Sequence, residues 1–187
     1  MPMISLNIFI TPFAERGRAE TVAWTCDSAA EALRVVNRIW VASNIQFQVK
    51  ACTVDTPLDI AKDSRTKDQL LLDVLSNRRP AGTSVNIFLV NRVAGLKAGG
   101  LSYFNSDPEA ACFVQQYDDA DSSGRAIAHE LGHLLSLDHV KVDYTDPQKA
   151  AKLLTNLMVE GLSMGTDLSA PQIKSAKASK LAKKFGG

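Results

Sequence analysis

The chain opens on a two-residue period. Ile4, Leu6, Ile8 and Ile10 alternate with Ser5, Asn7 and Phe9, the pattern of a strand with one buried face. The period then lengthens. Ser28 and Glu31 read as a capping box, Leu33, Val36 and Trp40 follow at helical spacing, and Asn44 is suited to close that helix in a left-handed conformation. Ile45, Phe47, Val49 and Ala51 alternate with Gln46, Gln48 and Lys50, a second strand. A strand–helix–strand unit of this kind is expected to be right-handed with parallel strands. Leu71, Val74, Leu75 and Arg78 predict a helix over residues 67–77 that Pro80 stops. Val85, Ile87 and Leu89 mark a third strand, Gly95, Gly99 and Gly100 break regular structure, and Ala111–Gln115 is a short apolar run that reads as another strand. Asp121, Ser122 or Ser123 then caps a helix through His129 and His133. Beyond it strand signals are poor. Pro147–Leu154 reads as a helix, and a last helix starts at Ser169, Ala170, Pro171 and Gln172, a capping box with proline in the first turn. There is no internal repeat and no low-complexity linker.

Composition changes this picture little. The 187 residues fit one domain, and 45% apolar and 22% charged content are ordinary for a globular chain. The net charge of +1 argues against a general nucleic-acid binder, although it hides an asymmetry. Lys174, Lys177, Lys180, Lys183 and Lys184 fall in the last 16 residues without an acid, which leaves the remainder at −4. Such a tail is a solvated helix face before it is a docking patch. No stretch of 18 apolar residues predicts a membrane span. The N-terminus lacks a basic region and a cleavage site, so no signal peptide is expected. Cys26, Cys52 and Cys112 are odd in number and widely spaced, which is not a disulfide framework; buried thiols are the simple reading and one bridge with a free thiol the alternative.

The chemistry is concentrated. All three histidines lie in the eleven residues from His129 to His139. His129 and His133 are four apart, so a helix puts both rings on one face. There two imidazoles can reach one zinc ion, with Glu130 beside the first as a general base. His139 can be a third ligand only if the helix stops near Ser136 and the chain turns back. Three nitrogens leave a fourth position for water, which distinguishes a catalytic zinc from a structural one. The run Asp118, Asp119, Ala120, Asp121 could bind calcium, but acids at a helix N-terminus are explained more simply by the helix dipole.

The pattern from His129 to His139 resembles that of the metzincin zinc peptidases, H-E-x-x-H-x-x-G-x-x-H, with Ser136 in the glycine position. Asn156-Leu157-Met158, 19 residues after His139, resembles their methionine turn, and residues 165–172 resemble the approach to their C-terminal helix. Val36-Asn37-Arg38-Ile39-Trp40 followed by Ile45-Gln46-Phe47 resembles the first helix and second strand of matrixin-like members. The resemblance implies an α/β (α+β) metzincin-type zincin. Its mixed twisted sheet would carry two long helices and the active-site helix, with a small, mostly helical C-terminal subdomain. Residues 1–187 would be one catalytic domain, divided near residue 137 into an N-terminal subdomain (about 1–137) and a C-terminal one (about 138–187).

By the same resemblance His129, His133 and His139 are the zinc ligands, Glu130 is the base and Met158 is the floor of the site. The activity implied is zinc-dependent endopeptidase cleavage of a protein or peptide substrate. The substrate would add as a β-strand to an edge near Cys112, Phe113 and Val114, with Glu160 and Gly161 in the wall after the methionine. Tyr103, Tyr117 and Tyr144 are candidates to stabilise the oxyanion, since no histidine is left over. An astacin-type tyrosine contact is not supplied, because Glu160 stands in that position. The rivals are a gluzincin-type enzyme with Glu160 as third ligand, a peptide deformylase with Cys112 in that role, and a zinc-binding interaction module without useful turnover. A protease with neither signal nor inhibitory segment suggests a bacterial-type effector or toxin, exported by a signal-independent route and held by a cognate inhibitor protein.

Overall fold

The computed structural model describes residues 2–15, 18–19, 24–59, 68–78, 82–91, 99–103, 110–160 and 165–185. Pro80, Gly95 and Gly161 lie outside them. In chain order the strands are β1 (Met3–Thr11), β2 (Phe13–Glu15), β3 (Arg18–Ala19), β4 (Gln46–Val54), β5 (Leu58–Asp59), β6 (Val85–Val90), β7 (Gly100–Ser102) and β8 (Ala111–Gln115). The helices are α1 (Cys26–Trp40), α2 (Asp68–Arg78), α3 (Ala120–Leu134), α4 (Pro147–Leu154), α5 (Ala170–Ala178) and α6 (Lys180–Phe185). The main sheet has the order β4-β1-β6-β8-β7. Its first four strands are parallel, and β7 runs antiparallel to β8. A small second sheet has the order β3-β2-β5.

The alternation in β1 is realised. Ile4, Leu6, Ile8 and Ile10 are buried on one face, together with Val85, Ile87, Leu89, Cys112 and Val114 from the neighbouring strands. Those residues pack with α1 and α3, through Leu33, Val36, Trp40, Ile127 and Leu131 among others. Each large apolar side chain removed from water there contributes about 1.5–3 kcal/mol. In β6 all six residues are buried, not only the three at alternate positions. The other face explains it: Phe88, Val90, Ala111 and Phe113 pack beneath Leu71, Leu72 and Leu75 of α2. A strand covered on both faces carries no alternation. Leu72, not Val74, completes that contact, so the register of α2 differs from the sequence reading.

Helix α1 starts one turn earlier than expected. Thr25 is extended (φ −127°, ψ 165°), accepts from Ser28 N, and its own amide donates to the Ser28 hydroxyl. The capping box is therefore Thr25/Ser28 and not Ser28/Glu31. Cys26, in the first turn, is bridged to Cys52 of β4, and Cys112 is a buried free thiol. The alternative of one bridge and one thiol is the one realised. At the other end a 3-10 turn, Val41–Ser43, continues α1, and Asn44 closes that turn in the left-handed conformation at φ 55°, ψ 31°. Asn37 then ties α1 to β4, donating to Phe47 O (2.9 Å) and accepting from Phe47 N (2.8 Å). Beyond Phe47, β4 is mostly exposed because it is a sheet edge, which the Val49 position did not foretell.

Helix α3 lies directly against α1. The Trp40 indole donates to Ala128 O (3.3 Å) across the contact. At Gly124 the approach is closest: a Cβ there would sit 2.5 Å from Val35 Cβ and 2.7 Å from Ala32 O. Gly124→Ala is therefore expected to force the helices apart and cost about 1–3 kcal/mol by overpacking, read as a lower urea midpoint with an unchanged slope. A variant as stable as the parent would show that the two helices are not fixed at this distance.

Candidate metal centre

The site is built by how α3 begins and ends. Its N-cap is Asp119, not Asp121, Ser122 or Ser123: the carboxylate accepts from Ser122 N (2.7 Å) and Ser122 Oγ (2.8 Å). Those bonds hold the Asp119 pKa below the usual carboxylate value. Asp121 pairs with Arg38 and Arg125. The acidic run is thus engaged in capping and ion pairing. At the C-terminal end, Ser136 N donates to His133 O (2.9 Å) and Leu137 N to Gly132 O (2.9 Å), the paired bonds of a Schellman motif. Ser136 is the left-handed residue that motif needs, at φ 67°. The helix stops where the sequence reading required, and the chain folds back toward its own last turn.

That reversal brings the three rings together. The Nε2 atoms of His129 and His133 are 3.2 Å apart, those of His129 and His139 3.1 Å, and those of His133 and His139 3.0 Å. The opposite nitrogens of two rings are engaged. His129 Nδ1 donates to Leu157 O and His133 Nδ1 to Leu137 O, each at 2.7 Å. A carbonyl accepts only from a protonated nitrogen, so both neutral rings carry their proton on Nδ1 and turn a lone pair inward at Nε2. Burial favours the neutral form: it pushes the His129 pKa down to about 4, with the neighbouring rings adding to the effect and the Leu157 bond opposing it, and it lowers that of His133. Lone pairs facing each other at this distance repel unless a cation lies among them. Nitrogens at the usual zinc distance in a tetrahedral set are about 3.3–3.4 Å apart, so the donor set fits such an ion.

Glu130, next to His129 on α3, is buried, and burial raises its pKa to about 8. Met158 is fully buried and packs on the flat surface of α3 at Gly132. The turn that carries it is firmly held. Asn156 Oδ1 accepts from Met158 N (2.9 Å), and Asn156 exchanges two side-chain bonds with Gln172, the capping-box residue of α5. Met158 O accepts from Val140 N (2.8 Å), which anchors the segment just after His139.

Other candidates fall elsewhere. Cys112, Phe113 and Val114 are buried, and β8 lies between β6 and β7, so it is not an edge. The edge on that side is β7, a strand the glycine-rich reading missed; the three residues are core side chains because β6 and β7 flank them and helices pack on both faces of the sheet. Burial, with the Glu130 charge adding, keeps Cys112 a thiol, and it stands outside the metal-competent group. Glu160 is exposed and also outside that group, which among the described residues is His129, His133 and His139. The Tyr103 hydroxyl donates to Asp73 (2.7 Å), Tyr144 is exposed, and Tyr117 is half-buried against the core. Sequence reasoning also missed the Leu137 and Leu157 carbonyls, which no residue type announces, and Gly100 and Ser102 of β7, for which the Gly99-Gly100 pair was the available signal.

No protein-family model matches the sequence, and no curated protein matches it. Among solved structures the chain is similar to mature mirolysin of Tannerella forsythia, determined in complex with a cleaved peptide, with a TM-score of 0.67 and 12% identity over 98% of this chain and 95% of that one. At this identity the likeness shows the fold alone: a mixed α/β chain with a five-stranded mixed sheet and several helices.

Ser136→Gly is expected to stabilise the protein by about 1 kcal/mol, because the left-handed backbone no longer carries a Cβ and the gain exceeds the added unfolded-state entropy. Thermal and urea unfolding measure it. A loss of stability would mean that the serine side chain contributes more than its backbone conformation costs.

Proposed function

We propose that this chain is a zinc-dependent endopeptidase. The observation that carries the reading is the convergence of three Nε2 atoms within 3.0–3.2 Å of one another, with the buried Glu130 next to His129 on α3. His129, His133 and His139 hold the ion. When bound, zinc supplies a Lewis acid that acidifies water and polarises a peptide carbonyl. Glu130 accepts the proton of the attacking water and returns it to the leaving amine. Leu157 and Leu137 keep two of the imidazoles in the ligand tautomer, and Met158 supports them from below. The peptide adds as a strand beside β7, which ends the sheet among the described residues and lies against Glu130. The cleaved peptide found with mirolysin supports a peptide as substrate. The Cys26–Cys52 bridge supports a chain that works outside a reducing compartment.

Glu130→Gln should keep its zinc and its fold yet lose peptide cleavage by about 10³-fold or more, since the water loses its base. A peptide-library assay of parent and variant, with and without chelator, measures this. Parent and variant equally inert with zinc bound would favour an interaction module without turnover.

Third-ligand identity is read by metal analysis. His139→Ala should release most of the zinc, whereas Glu160→Ala should retain close to one ion per chain. The opposite pattern would restore the gluzincin assignment.

A further inference from the structure

The edge strand β7 has three residues, Gly100, Leu101 and Ser102, and meets the rest of the protein on two faces. Toward α3, Gly100 lies on Glu130: a Cβ on Gly100 would come within 2.7 Å of Glu130 Oε1 and 3.0 Å of Cδ. The backbone of the edge therefore runs directly over the carboxyl group. Toward α2, Leu101 and the next residue, Tyr103, pack on the cluster formed by Leu71, Leu72, Leu75, Phe88, Val90, Ala111 and Phe113. Along the sheet, among the described residues, β7 pairs with β8: Gly100 opposite Val114, Leu101 opposite Phe113 and Ser102 opposite Cys112. Gln115 N to Gly99 O (2.8 Å) and Tyr103 N to Ala111 O (3.2 Å) close the two ends of this ladder.

A three-residue ladder holds a strand weakly by itself. A second tether is present. The Tyr103 hydroxyl donates to Asp73 Oδ1 at 2.7 Å, a short bond to a carboxylate on α2. We propose that Tyr103 and Asp73 are positioning residues, a clasp between α2 and the end of β7 that sets the height of the substrate-binding edge over Glu130. This rests on the endopeptidase reading for its kinetic consequence but not for its structural one. Neither residue reaches the reacting atoms. They act through Gly100 and Ser102, whose backbone must lie at one distance from Glu130 for a peptide added at the edge to meet the carboxylate. Without the clasp the edge holds that position for only part of the time, and a peptide is captured by the competent fraction alone.

The test is Tyr103→Phe, which removes the hydroxyl and leaves the ring packed. In the zinc-loaded protein the KM of an extended peptide should rise by roughly 10-fold while kcat stays within roughly 3-fold, because the strand is bound less often but the chemistry is unchanged once it is bound. Asp73→Ala should give the same rise, the double variant no more than either single one, and Asp73→Asn, whose amide oxygen still accepts, a smaller one. In the metal-free protein, amide hydrogen exchange at residues 100–103 should accelerate in Tyr103→Phe while α3 and β1 keep the rates of the parent. Unchanged exchange at residues 100–103 overturns the proposal, as does acceleration across the whole sheet or additivity of the two single variants. If the parent cleaves no peptide, the endopeptidase reading fails, and the exchange measurement still decides the clasp.

Discussion

The reversal of the chain at Ser136 is the constraint on which the centre depends. Helix neighbours on one face lie three or four residues apart, and His139 is six residues past His133, so α3 by itself brings only two of these imidazoles together. The third must come from a chain that leaves the helix axis at once and returns. A left-handed residue with its two Schellman bonds performs that within four positions, and Ser136 at φ 67° accepts the strain that glycine would avoid. The same turn places the Leu137 carbonyl under His133, so one backbone feature both recruits His139 and fixes the tautomer of a ring already present.

The second carbonyl comes from far away in sequence. Leu157 O lies 28 residues from His129, in the turn that carries Met158. That turn is in turn held by Asn156, Gln172 and the start of α5. The C-terminal segment is therefore not an appendage. Its helix cap, its methionine and its carbonyl all act on the orientation of rings that α3 supplies, the outer-layer support through which a metal site is tuned.

Glu130 is set by a different pair of elements. Burial between α3 and β7 makes its carboxyl a weaker acid than one in water. The cover is a strand with glycine at the point of contact, so backbone and not side chain closes the site from above. Because β7 also ends the sheet among the described residues, the cover over Glu130 and that end of the sheet are the same three residues.

Much of this was legible in the chain itself. The alternation from Ile4 to Ile10, the helical spacing of His129 and His133, the left-handed closure at Asn44 and the capping box at Ser169 are local, and local periodicity and hydrogen-bond chemistry suffice to read them. The need for a break near Ser136 followed from geometry, since His139 falls off the helical face. What the sequence could not carry was choice among partners. Ala111–Gln115 reads as a strand but does not say whether it lies inside the sheet or at its rim, because apolar content is the same in both; only the pairing with β6 and β7 decided that it is interior. Leu72 rather than Val74 met the core because the far face of β6 was covered. Thr25 rather than Ser28 began α1, both offering a hydroxyl to an amide three residues on. The carbonyls of Leu137 and Leu157 had no sequence signal at all, since every residue has one and only the tertiary fold determines which of them meets a ring.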